Sequence, residues 1–79
     1  MKRANLLASL NTLIKIEDVE VVKYAIESLA EQLEEERLTA NVNYVKYLNI
    51  LLKLEDSEAI FFALEELIQK VKYETKRNS

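Results

Sequence analysis

Residues 10–37 of this chain return thirty-eight positions later as residues 48–75. The first copy reads LNTLIKIEDVEVVKYAIESLAEQLEEER and the second LNILLKLEDSEAIFFALEELIQKVKYET. Leu10/Leu48, Asn11/Asn49, Leu13/Leu51, Lys15/Lys53, Glu17/Glu55, Asp18/Asp56, Glu20/Glu58, Ala25/Ala63, Glu27/Glu65 and Leu29/Leu67 are identical, and many other positions exchange one apolar residue for another. A period of this length marks a supersecondary unit that cannot bury its apolar face alone and must stack on a neighbour. The period therefore constrains architecture and adhesive surfaces. It does not name a chemistry.

With 79 residues the chain is a single small all-α domain, near the size at which one core barely suffices. Small chains compensate with disulfides, a metal or self-association. Cysteine and histidine are both absent, which removes disulfides and the common metal ligands and leaves self-association. Glycine and proline are absent as well. Hairpin turns need glycine, whereas Ala, Leu, Glu, Lys and Ile favour helix, so no sheet is expected. The formal charge of −3 argues against general nucleic-acid binding. No apolar run approaches the length of a membrane span, and the opening MKRANLLASL lacks a full secretory apolar region. The expectation is a soluble cytoplasmic protein that takes no cofactor, metal or membrane.

Apolar spacing predicts four helices. Leu6, Leu7, Leu10, Leu13 and Ile14 paint one face of a first helix over about residues 4–16. Glu17-Asp18 interrupts the stripe, and Asp18 is placed to cap a second helix carrying Val22, Ala25, Ile26, Leu29 and Leu33 to about Arg37. Thr39 or Asn41 is then expected to cap a third helix with Val45, Leu48, Leu51 and Leu52. Glu55-Asp56 repeats the break before a fourth helix with Ile60, Leu64, Leu67 and Val71. Repeat 1 thus covers about 4–37 and repeat 2 about 42–75, packed as a four-helix bundle of two tandem 38-residue hairpins. The alternative is a pair of long helices. If Glu17-Asp18 fails to break the helix, an αα-hairpin bends near residues 38–41 and dimerises.

The unit LxxLIKIEDxEVVxxAIESL, repeated as LxxLLKLEDSEAIxxALEEL, resembles the helical pairs of HEAT and armadillo repeats. Those families recur as a leucine-rich first helix, an acidic turn and a second helix with V…A…L spacing. The resemblance implies a protein-binding scaffold. Two units without terminal caps, and without proline in the first helix, imply a compact bundle or self-stacking pair in place of a superhelix.

The copies differ in an informative way. Ser9, Thr12 and Lys23 lie off the main stripes, and their equivalents are Tyr47, Ile50 and Phe61, all changed from polar to apolar. Phe62 lies opposite the stripe of the fourth helix, and Tyr73 shares that back face. Their counterparts in the first copy are Tyr24 and Glu35. Leaving a Phe in water forgoes about 2–3 kcal/mol, so a contiguous patch of such residues implies a cover. A second copy is the first expectation and a different protein the next. A misphased wheel, with these residues in an ordinary core, is the third. The protein-interface candidates are therefore Tyr47, Ile50, Phe61, Phe62, Tyr73 and Tyr24.

Catalytic chemistry finds no constellation. Carboxylates are abundant, but helical di-metal sites need Glu-x-x-His, and Glu17-Asp18 and Glu55-Asp56 have sufficient work as caps. Glu34–Glu36 at a helix end reads as a solvated face or a contact for a basic partner. Asn11 and Asn49, mid-helix and equivalent, are expected to hydrogen-bond as a pair that sets register. Basic residues gather at the chain ends, with Lys2 and Arg3 at one and Lys70, Lys72, Lys76 and Arg77 at the other. If the ends meet, these could touch a phosphate backbone, although no recognition helix is visible. The sequence thus reads as a non-enzymatic adaptor or regulator, self-associating through the second repeat. Its alternative is a small dimeric nucleic-acid-associated regulator.

Overall fold

A computed structural model describes residues 2–77, the last of these by its backbone. The chain forms four α-helices: α1 Arg3–Leu13, α2 Val19–Glu35, α3 Val42–Leu52 and α4 Ser57–Arg77. A single 3-10 turn, Thr39–Asn41, leads into α3, and no strand occurs among the described residues. The all-helical expectation holds. The long-helix alternative does not, because the backbone leaves the helix at residues 14–18 and 53–56.

Both breaks are built alike. The Asp18 carboxylate accepts from the Glu20 N–H at 3.0 Å, and Asp56 accepts from Glu58 at 2.9 Å. Each aspartate therefore satisfies a backbone donor that a helix start would otherwise leave orphaned. On the other side of each break the preceding helix tightens. Ile16 N–H donates to the Leu13 carbonyl at 3.1 Å, and Leu54 N–H to Leu51 at 3.2 Å. These short-range bonds end α1 three residues earlier than its apolar stripe suggests. They also tuck Ile16 and Leu54 partly against the core.

The four stripes meet in one core. Leu10, Leu13, Val22, Ile26, Leu29 and Leu33 are buried, and so are the residues thirty-eight positions on: Leu48, Leu51, Ile60, Leu64, Leu67 and Val71. The two helices within each repeat are not each other's main partners. α2 packs most extensively on α3, and α1 packs on α4, so the first and last helices lie side by side. The molecule measures 33 × 23 × 17 Å. α4 has 21 residues and spans about 31 Å at 1.5 Å per residue, so its outer face runs nearly the full length of the molecule.

The connection between the halves departs from the expected cap. Asn41 is helical, at φ −85° and ψ −13°, and its side chain does not cap α3. Buried instead, it turns back on α2, donating to the Leu33 carbonyl at 3.2 Å and to Glu36 Oε1 at 3.0 Å. The 3-10 turn starts α3 one step early and frees Asn41 for this clamp. Just before it, Arg37 sits at φ 53°, a left-handed conformation that glycine takes without cost and arginine does not.

Candidate protein interface

The six interface candidates divide into two groups. Phe62 and Tyr73 are 64% and 65% exposed on α4, Ile50 is 57% exposed on α3 and Tyr24 is 73% exposed on α2. Tyr47 and Phe61 depart from the expectation of a free back face, being partly buried and packed against the core. Tyr47 shows why. It reaches from α3 toward α4, where its phenol donates to Glu66 Oε2 at 3.3 Å. Burial, with the Glu66 carboxylate adding to it, raises the Tyr47 phenol above its ordinary value of 10.0.

The first half shows what Tyr47 displaces. There Ser9 and Thr12 occupy the places of Tyr47 and Ile50, and an open groove of about 430 Å³ remains between α1 and α2, with Tyr24 at its edge. In the second half the larger side chains move apolar surface outward. At ~100° per residue, Phe62, Gln69 and Tyr73 fall within about 40° of one another on α4. All three are exposed, and so are Glu65, Glu66, Lys70 and Lys72 along the flanks. The face is apolar at both ends of its central line. Its charges are ordered, with the carboxylates nearer the helix start and the ammonium groups nearer the end.

A second polar cluster, absent from the candidates above, ties three helices together. Tyr44 on α3 is 2% exposed and donates its hydroxyl to the Glu74 carboxylate on α4. Burial, then the bond to Glu74, pushes the Tyr44 phenol above its ordinary value, while Arg3 on α1 pulls the other way. The position was legible in one respect. Glu74 is identical to Glu36 thirty-eight residues earlier, and Glu36 is the acceptor for Asn41. Both carboxylates thus receive a side chain from the start of α3 or just before it.

Asn11 and Asn49 do not form the expected pair. Asn11 lines an open groove of about 480 Å³ between α1 and α4, whereas Asn49 lines one of about 420 Å³ between α2 and α3. The dominance of the α1–α4 and α2–α3 pairings carries the two amides into different grooves. Of the basic candidates, Lys70, Lys72 and Lys76 are exposed on α4, and the side chain of Arg77 lies outside the described residues. Arg3 is occupied beside Tyr44. Among the described residues, no group of three or more His, Cys, Asp or Glu is placed to hold a metal, and no helix is long and apolar enough to cross a membrane. In comparison with known proteins, the chain matches no family model, no curated protein and no solved structure.

Proposed function

We propose that the chain is a non-enzymatic protein-interaction module, a small cytoplasmic adaptor or regulator that pairs with a second copy through its second repeat. The observation that carries this reading is the exposure of Phe62 and Tyr73 on one face of α4. Each aromatic ring left in water forgoes about 2–3 kcal/mol of burial. Ile50 on the neighbouring helix is exposed as well.

The architecture belongs to the same reading. The domain is a four-helix bundle of two tandem 38-residue hairpins, related by an approximate internal twofold axis. The matched turns around Asp18 and Asp56 support it. So do the pairings α1–α4 and α2–α3, which exchange with each other when the two halves are interchanged. The resemblance to HEAT and armadillo repeats does not extend to the packing, because the two helices of each hairpin pack less extensively on each other than on the other half. Translational stacking would set α1 on α3 and α2 on α4, whereas here the last helix closes on the first.

A nucleic-acid-associated regulator is the second reading, and it rests on exposed Lys70, Lys72 and Lys76. Glu65 and Glu66 on the same helix, together with the net charge of −3, weigh against it. Light scattering behind size exclusion separates the readings, on the native chain and on Phe62→Glu/Tyr73→Glu. A native dimer that the double substitution converts to folded monomers supports the protein-interaction reading. A native monomer that binds nucleic acid, with an affinity that falls steeply as salt rises, would replace it.

A further inference from the structure

The outer face of α4 is complementary to itself when reversed. We infer that the second copy docks on α4 by an antiparallel α4–α4 contact, with a twofold axis passing between Leu67 and Ile68. This register rests on the self-association proposed above and adds to it a geometry, a set of contacts and a direction.

Three observations converge on the same axis. Phe62 and Tyr73, the two exposed aromatic residues of α4, are eleven residues apart and exchange places under this operation. Each ring then faces the other kind of ring at either end of the contact. Gln69 lies between them on the same line, one and a half residues from the axis, so the two glutamines meet near the centre. The charges obey the same symmetry. Glu66 maps next to Lys70 of the second copy, and Glu65 maps two residues from Lys72.

The flanks agree as well. In antiparallel helix pairs, residues on one side of the contact line meet the same side of the partner. At ~100° per residue, Glu65 and Lys72 lie on one side of the Phe62–Gln69–Tyr73 line, and Glu66 and Lys70 on the other. A parallel pairing would instead set glutamates against glutamates and lysines against lysines. Like charges held opposite one another are unfavourable, so the charge order selects the direction. Tyr47 borders the contact from α3, with its phenol already on Glu66 at 3.3 Å. The interface is isologous and closes at two copies.

The test uses single cysteines in a chain that has none of its own. Gln69→Cys and Glu58→Cys are made separately in the full chain, and each is treated with a short bismaleimide after its mass is measured. Two copies of position 69 lie about 4.5 Å apart along the axis in the inferred register, and two copies of position 58 about 28 Å apart, at 1.5 Å per residue. The expected result is a dimeric chain in which Gln69→Cys cross-links efficiently and Glu58→Cys does not. Cross-linking at both positions would mean a parallel contact. A dimer that cross-links at neither would place the interface elsewhere. Either result overturns the register and leaves self-association standing. A native monomer overturns both.

Charge exchange supplies a readout that does not depend on cysteine. Glu65→Lys/Glu66→Lys and Lys70→Glu/Lys72→Glu should each weaken the dimer by about tenfold or more. An equimolar mixture should form the heterodimer. Folded variants that both dimerise as tightly as the native chain would overturn the inference.

Discussion

The hydroxyl of Tyr44 donates to the carboxylate of Glu74 across the α3–α4 boundary, with Arg3 of α1 beside it. One side chain from the start of the second half thereby touches the end of the last helix and the start of the first. Tyr44 takes the place that Leu6 holds thirty-eight residues earlier, and both are buried. A tyrosine at a leucine position is tolerable in a core because its polar tip finds a partner there. Replacing it with Phe should keep the packing and remove the bond. Tyr44→Phe and Glu74→Ala are each expected to lower unfolding stability by about 1–2 kcal/mol in urea titrations. The double variant should fall short of their sum, since both delete the same contact.

The same pair predicts a pH dependence. The Tyr44 phenol is raised above 10.0, mainly by burial, so the folded state holds its proton more tightly than the unfolded chain does. Stability from this source is fully present below the unfolded value near 10. It is lost as pH rises through the higher folded value. Urea midpoints measured upward from pH 9 should decline on the alkaline limb. Tyr44→Phe should flatten that limb, and Tyr47, also raised, should account for part of what remains.

The two caps make independent predictions. Asp18→Ala and Asp56→Ala each remove one side-chain acceptor at a helix start and should cost about 1 kcal/mol. The sites lie on different helix starts and share no partner, so the losses should add. For a chain of this size the double variant should melt roughly 8–16 °C lower by circular dichroism.

Arg37 offers a gain. Its φ of 53° is the conformation glycine takes freely. Arg37→Gly should raise stability by about 0.5–1 kcal/mol, with the helical signal otherwise unchanged, because the relief of steric conflict exceeds the added unfolded-state entropy. A fall in melting temperature would mean that the guanidinium makes a contact worth more than the strain.

Much of this architecture was legible because it is periodic. Leu10, Val22, Ile26, Leu48 and Leu64 could be placed in the core from spacing alone, and Asp18 and Asp56 at helix starts from residue type. Residues whose surroundings come from a helix distant in the chain were less legible. Tyr47 and Phe61 lie off the stripe of their own helices, yet a neighbour covers part of each. Asn41 has the residue type of a cap, but the carbonyl of Leu33 and the carboxylate of Glu36 offered a buried amide more than an exposed helix start did. Asn11 and Asn49 share a position in the unit, and the α1–α4 and α2–α3 pairings set them in separate grooves. In the interface face, residue type and spacing marked Phe62 and Tyr73. Spacing alone set both on the back face of the fourth helix, and the 21-residue α4 carries them there.

The side-by-side placement of α1 and α4 bears on how the chain is made. A ribosome releases α1 first and α4 last of the four, so the earliest apolar stripe, Leu6–Leu10–Leu13, has to wait for its main neighbour until the others have emerged. Until then α2, which also packs on α1, covers only part of it. The interval in which this protein is most exposed to chaperones and proteases is therefore set by the time taken to translate from α1 to the end of α4.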